Sequence, residues 1–264
     1  MVQLQMIERV KQLALETEAV SAVLMYGSFI KGEGDRYSDI EFYIFLRNEE
    51  GFDKQQWISR IAALDLFFTN EFGTDVAVFS NLIRGEFHFH HVDEVEVVRT
   101  WQGMTTFEFI DRMNLVDKDG RLGEVLSSIQ PPYRPVYDTP EQREWIALQL
   151  INNLIFVMNL LKRGEYAHAH NLFWFIQRFL LWLVRLNASA TAHWEAPTKK
   201  LEDDLPAEWF ERYRQCTPAL NEKELKAGFG KSLVLSRELF DKLDIPQNIK
   251  DVLTKIEHES ADFG

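Results

Sequence analysis

The chain has 264 residues, 46% of them hydrophobic, which is enough for one large domain or two small ones with a sizeable core. Its formal net charge of −12 argues against a nucleic-acid surface and suits a cationic small molecule, although it also fits simple solubility. The single cysteine, Cys216, excludes an intrachain disulfide. Glu8, Lys11 and Glu16 interrupt any N-terminal apolar run, and the very apolar segment 173–186 falls short of the roughly 20 residues of a membrane span, so we expect a cytoplasmic protein.

The first quarter of the chain alternates helical and strand patterns. Apolar residues at three-residue spacing predict an amphipathic helix over residues 3–16. Residues 22–26 predict a first strand, which ends before the pair Gly27-Ser28. A short helical turn is expected after Ser28. Residues 39–46 predict a second strand.

The next segment is predicted to hold one helix and three strands. Residues 54–68 place Trp57, Ile61, Leu64 and Phe68 on one face of a helix. Residues 74–79 are apolar and partly β-branched, as in a strand. Residues 86–91 and 94–100 predict two more strands with a turn near Asp93.

Four of the eight prolines fall between positions 130 and 140, which indicates a boundary because proline cannot continue a helix interior. After it the pattern predicts only long helices, near 141–162, 167–187, 206–215, 221–243 and 247–259. The predicted fold class is therefore α+β. A mixed sheet with flanking helices over 1–130 is followed by an α-helical bundle over 131–264.

Two short motifs carry the chemistry. Side chains at positions i and i+2 of a strand share a face, so Asp39 and Glu41 can reach one divalent metal ion. The Gly27-Ser28 turn lies ten positions before Ser38 and can offer backbone N–H groups and a hydroxyl to phosphates. Together these motifs describe a site for transferring a nucleotide.

The order of strand, Gly-Ser, about ten residues and Asp-x-Glu resembles the nucleotidyltransferases related to DNA polymerase beta. Because its second carboxylate is Glu41, the motif is similar to that of the kanamycin-type antibiotic nucleotidyltransferases. Residues 25–34, 37–43 and 83–89 resemble the lincosamide nucleotidyltransferases specifically. In the second half, only length and helical pattern support this resemblance.

The resemblance implies Mg²⁺ as cofactor and ATP as nucleotidyl donor. Asp39 and Glu41 are then metal ligands, and a third carboxylate serves as metal ligand or as base for the acceptor hydroxyl. We favour Glu86 for that third place, and Asp75 is the rival. A zinc site at the alternating Glu86, His88 and His90 is disfavoured beside a magnesium motif.

The nucleotide is expected at three small residues. Ser28 should bind a β- or γ-phosphate, Gly27 should allow close backbone approach, and Ser38 should cap or bond near the site. The resemblance further implies a homodimer, with the helical half binding the substrate and joining the subunits.

The predicted function is transfer of AMP from ATP to a hydroxyl of a lincosamide antibiotic, with release of pyrophosphate. Two alternatives stay open. The acceptor could be an aminoglycoside, because the Asp-x-Glu motif and the acidic charge suit it equally. The chain could instead modify a protein partner, as nucleotidyltransferases of toxin–antitoxin pairs do. No nucleic-acid or membrane partner is expected.

Overall fold

The computed structural model describes residues 1–263 and has two compact units, Met1–Pro135 and one that begins at Val136. The first unit contains all six described strands, and the second is helical. This mixed sheet followed by a helical region confirms the predicted α+β class.

A six-stranded mixed sheet forms the centre of the first unit, in the order β3-β4-β5-β2-β1-β6. Strands β2 and β5 run parallel, whereas the other neighbouring pairs run antiparallel. The start of β2, the start of β5 and the end of β1 therefore lie at one edge of the sheet. The strands are β1 (Val20–Met25), β2 (Ile40–Leu46), β3 (Leu64–Thr69), β4 (Asp75–Phe79), β5 (Arg84–His91) and β6 (Asn114–Asp117).

Helices cover both faces of this sheet because its central strands are apolar on both sides. One face packs against α1 (Val2–Glu16) and α2 (Lys54–Ser59), with Val23 and Ile44 in that core. The other packs against α3 (Val97–Thr100), α4 (Ile110–Met113) and α5 (Arg121–Ser127).

One predicted element is wrong in its second half, and another is wrong throughout. The helix predicted over 54–68 ends after Ser59, and its second half is the edge strand β3, where Phe68 is 47% exposed. The strand predicted over 94–100 is helical: a 3₁₀ turn at Val92–Glu94 leads into α3. Val95 and Val98 are buried three positions apart, a helical spacing that their β-branched type conceals.

In the described part of the second unit, six α-helices and a short 3₁₀ helix at Ala261–Phe263 follow the proline-rich segment. Thr139 caps the first of them by accepting a hydrogen bond from the Gln142 N–H at 3.1 Å, and Asn221 caps another in the same way at 2.9 Å. The helices are α6 (Pro140–Lys162), α7 (Tyr166–Asn187), α8 (Leu201–Asp204), α9 (Ala207–Arg214), α10 (Glu222–Lys242) and α11 (Gln247–Glu259).

Helix α6 is, within residues 1–263, the one helix long and apolar enough to cross a membrane by length and composition. Half of its most apolar window is buried inside the structure. Its buried residues, such as Leu150 and Leu154, belong to the core of the second unit, which accounts for their hydrophobicity. Cys216 is fully buried in the same core, and burial raises the pKa of its thiol to about 11.

A buried arginine holds the segment between α7 and α8. Arg185 has no exposed surface and donates hydrogen bonds to three backbone carbonyls, those of Ala190, Pro197 and Lys199, at 2.7–2.9 Å. It also pairs with Asp204 at 2.8 Å. Burial alone would raise the pKa of Asp204, but hydrogen bonds with Arg185 and His193 lower it below its ordinary value.

Candidate active site

The Gly27-Ser28 turn follows β1 after one residue, Tyr26, and lies against Glu41. Gly27 has φ +83°, and a Cβ built on it would stand 1.5 Å from Oε2 of Glu41. The backbone N–H of Ser28 donates a hydrogen bond to the Glu41 carboxylate, and the N–H of Tyr26 donates to the Glu41 carbonyl at 3.1 Å. Only glycine fits this close approach, so the turn and the carboxylate form one unit.

Three predicted carboxylates meet at this edge of the sheet. Asp39 immediately precedes β2, and Glu41 is its second residue. In the parallel ladder, Glu41 is the direct partner of Glu86 in β5. Paired residues of neighbouring strands project to the same face, so the Glu41 and Glu86 side chains lie side by side.

Arg84 bridges two of these carboxylates, a contact that the sequence prediction missed. Its Nη1 lies 2.5 Å from Oδ2 of Asp39, and its Nη2 contacts Oε1 of Glu86. Arg84 stands two positions before Glu86 in β5, so both side chains share a face. The signal available in the sequence was this period-two spacing within residues 83–89.

The electrostatics show that the cluster carries an excess of negative charge. Burial raises the pKa of Glu41, and the charges of Glu86 and Asp39 raise it further, whereas Ser28 and Arg84 act in the opposite sense. One guanidinium therefore does not neutralise three carboxylates. The cluster retains an attraction for an added cation.

A tyrosine holds the second carboxylate oxygen of Glu86, and a histidine contacts the hydroxyl of that tyrosine. The Tyr26 hydroxyl donates to Oε2 of Glu86 at 3.2 Å and lies 2.9 Å from Nε2 of His88. Burial raises the pKa of Tyr26, and Glu86 and Glu41 add to that rise, so the hydroxyl stays protonated. Burial lowers the pKa of His88, whose ring stacks on Tyr43 with centroids 4.3 Å apart. Neither Tyr26 nor Tyr43 was predicted as a site residue.

The remaining candidates lie elsewhere in the first unit. The Ser38 hydroxyl accepts from the Asp35 N–H at 3.0 Å and donates to the Asp35 carboxylate, so it closes the loop that leads into Asp39. Asp75 pairs with Lys54 at 3.0 Å and stands opposite Phe87 in the β4–β5 ladder. Phe87 and Glu86 project to opposite faces, so Asp75 lies on the side of the sheet away from Glu86.

The donor set fits a hard divalent cation. Asp39, Glu41 and Glu86 offer only carboxylate oxygens, the ligands that Mg²⁺ prefers, and the missing side chain of Gly27 leaves the space that the Glu41 carboxylate occupies. No group of three or more His, Cys, Asp or Glu within residues 1–263 is already arranged around a metal position. Arg84 neutralises part of the cluster instead.

Comparison with known proteins bears on the other half of the chain. Residues 139–259 match the family model described as lincosamide nucleotidyltransferase-like, C-terminal domain. The second half of the chain is therefore similar to the C-terminal domain of lincosamide nucleotidyltransferase-like proteins. The predicted resemblance to the lincosamide nucleotidyltransferases, drawn from residues 25–34, 37–43 and 83–89, is confirmed at the family level by this match.

The comparison with curated proteins gives no match. Two solved structures align with most of this chain. An aminoglycoside 6-adenyltransferase from Bacillus subtilis has 15% identity and a TM-score of 0.43, over 97% of both chains. A nucleotidyltransferase-like protein from Exiguobacterium sibiricum has 12% identity and a TM-score of 0.39, over 96% of this chain and 80% of its own.

Proposed function

We propose that the protein transfers AMP from ATP to a hydroxyl group of a lincosamide antibiotic and releases pyrophosphate. The observation that carries the proposal is the meeting of Asp39, Glu41 and Glu86 beside the Gly27-Ser28 turn. The similarity of residues 139–259 to the C-terminal domain of lincosamide nucleotidyltransferase-like proteins supports the choice of acceptor.

Asp39, Glu41 and Glu86 would hold Mg²⁺ in this proposal. Bound there, the ion supplies positive charge to the triphosphate and to the pyrophosphate leaving group. The chain's own part is to keep three carboxylates within reach of one another, which the parallel pairing of β2 with β5 achieves.

The Gly27-Ser28 turn would bind the phosphates of ATP. The Ser28 N–H now bonds the Glu41 carboxylate, and it can serve a phosphate oxygen in the same way, as backbone N–H groups at tight turns do. Ser38 would not contact the phosphates, and its hydrogen bonds with Asp35 would hold the loop that positions Asp39.

Glu86 would act as the general base. Its carboxylate accepts the proton of the acceptor hydroxyl, and the acceptor oxygen attacks the α-phosphorus of ATP. The bond from the α-phosphorus to the bridging oxygen breaks, and pyrophosphate leaves with that electron pair. Tyr26 holds Oε2 of Glu86 by a hydrogen bond, which fixes the direction of the carboxylate.

The acceptor is proposed to be recognised with the help of the helical unit. Lincosamides carry a basic amine, and the net charge of −12 would attract such a cation over long range.

We further propose a cytoplasmic homodimer. Light scattering during gel filtration would detect the dimer as twice the chain mass of 31.0 kDa.

The test is a pyrophosphate-release assay with ATP, Mg²⁺ and purified protein. Clindamycin, lincomycin, kanamycin and no acceptor run in parallel, and mass spectrometry follows the drug. Release that needs a lincosamide, with the drug gaining the mass of AMP, supports the proposal. Release with kanamycin alone would move the substrate to aminoglycosides, and label on a co-purifying protein would favour the third alternative.

Two variants connect the activity to the site. Asp39→Asn removes a proposed metal ligand and should lower turnover at least about 100-fold, since the charge is lost where phosphate charge develops. Glu49→Gln makes a similar change on an exposed residue beyond the opposite end of β2 and should leave turnover unchanged. Equal activity of both variants would contradict the metal assignment.

A further inference from the structure

We propose that Arg84 is the internal counter-ion of the carboxylate cluster and competes with a divalent cation for the same oxygens. The inference rests on the proposed function and its metal site, and it gives a role to Arg84, which the proposed reaction does not use. Its basis is the bridge from Nη1 to Oδ2 of Asp39 at 2.5 Å and from Nη2 to Oε1 of Glu86.

The guanidinium suits this position because its planar fork presents two parallel donors to two acceptors. Here the two acceptors come from different parts of the chain, 47 positions apart, so the fork ties the start of β2 to β5. It thereby holds two of the three carboxylates close to each other despite their like charges.

The neutralisation is incomplete. Three carboxylates face one guanidinium, and the Glu41 carboxylate receives its hydrogen bond from Ser28, while Arg84 acts on it only through its charge. A divalent cation would neutralise the cluster better than Arg84 does, so the exchange has a driving force.

The two cations use the same ligands. A Mg²⁺ ion bound at about 2.0–2.1 Å to Oδ2 of Asp39 and Oε1 of Glu86 would stand where the guanidinium now lies, so the two cations compete for these oxygens. Arg84 must therefore withdraw when the ion binds. Its side chain is 40% exposed, so solvent lies open to it on one side.

The withdrawn guanidinium needs a new partner, and the triphosphate that accompanies the metal offers one. Arginine binds phosphate through the same paired donors that it uses for carboxylates. The metal and the nucleotide should therefore bind cooperatively, because the nucleotide compensates for the contacts that Arg84 loses to the metal.

The experiment measures Mn²⁺ binding by electron paramagnetic resonance and calorimetry, without nucleotide and with a non-hydrolysable ATP analogue. The proteins are the wild type, Arg84→Met, Arg84→Lys and the control Arg99→Met. Arg99 pairs with Glu96 on the surface, so its substitution removes one charge and one ion pair outside the cluster. Circular dichroism checks that each variant is folded.

Without nucleotide, Arg84→Met should bind Mn²⁺ about 10-fold more tightly than the wild type, which corresponds to about 1.4 kcal/mol. Arg84→Lys, with one point charge in place of the fork, should fall between them, and Arg99→Met should match the wild type. With the analogue, the advantage of Arg84→Met should shrink. If Arg84→Met does not fold, the Arg84→Lys comparison carries the test.

Mn²⁺ affinity of Arg84→Met equal to or weaker than that of the wild type would overturn the counter-ion role and leave the proposed function standing. Absence of Mn²⁺ binding in every protein would overturn the metal site, and with it both proposals.

Discussion

The sharpest prediction concerns Gly27, because the structure gives it two separate constraints. Its φ of +83° is a left-handed conformation that costs an L-residue about 1–2 kcal/mol. An added Cβ would also stand 1.5 Å from Oε2 and 2.5 Å from Cδ of Glu41. Gly27→Ala therefore introduces backbone strain and a collision with a proposed metal ligand.

The collision decides the effect on activity. A normal contact between carbon and oxygen needs about 3.5 Å, so the Glu41 carboxylate must move by about 2 Å. Misplacement of a reacting group by about 1 Å can cost about 100-fold in rate. We expect Gly27→Ala to lose at least about 100-fold in kcat and most of its Mg²⁺ response.

Gly51→Ala is the matched control. Gly51 also has a positive φ, +73°, but a Cβ there would meet nothing within 4 Å, and it lies beyond the opposite end of β2. Both variants should lower the melting temperature by about 2–8 °C, the range that 1–2 kcal/mol implies. Only Gly27→Ala should lose activity.

The assays are calorimetric melting and pyrophosphate release with ATP and the best acceptor. Wild-type turnover in Gly27→Ala, at a melting temperature equal to that of Gly51→Ala, would refute the reasoning. It would mean that Glu41 can leave its present position without consequence for the reaction.

Two further predictions follow from hydrogen bonds. Tyr26→Phe removes the donor to Oε2 of Glu86 and should lower kcat about 10–100-fold with a smaller change in KM. The control Tyr37→Phe changes an exposed tyrosine and should leave kcat unchanged. Steady-state kinetics that show the same kcat for both variants would contradict the positioning role of Tyr26. Asp204→Asn should lower the free energy of unfolding by about 3 kcal/mol at neutral pH, because it leaves Arg185 buried without its anion. Because the folded pKa of Asp204 is lowered, its contribution is present above its unfolded pKa near 3.9 and is lost as pH falls through the folded value. Urea titrations should therefore show the difference from wild type shrinking below about pH 4, and a constant difference down to pH 2 would contradict the linkage.

The five longer helices of the second unit were predictable because their signals are local, whereas the four-residue helix α8 was not predicted. Thr139 and Asn221 mark helix starts as capping residues, and the long apolar periodicities between them are sufficient to identify helices. The region 54–69 was not predictable in this way. Leu64 and Phe68 fit a helical face, but they belong to an edge strand whose existence depends on its pairing with β4.

The candidate site shows the same division between local and distant information. Strand alternation alone puts Asp39 and Glu41 on one face, and the structure shows both at that edge of the sheet. The neighbourhood of Glu86 depends on the parallel pairing of β2 with β5, which no local pattern reveals, and its choice came from the resemblance. Arg84 and Tyr26 were missed because their importance lies in contacts across strands.

The burial of Cys216 has a practical consequence for site-specific labelling of this protein in spectroscopic studies. With its pKa raised to about 11 and its side chain enclosed, this thiol is almost entirely protonated at pH 7–8 and closed to alkylating probes. Because it is the only cysteine in the sequence, the natural chain already serves as an unlabelled background. A cysteine introduced at an exposed position such as Tyr37 would take up a fluorophore or spin label selectively, without prior removal of a native thiol.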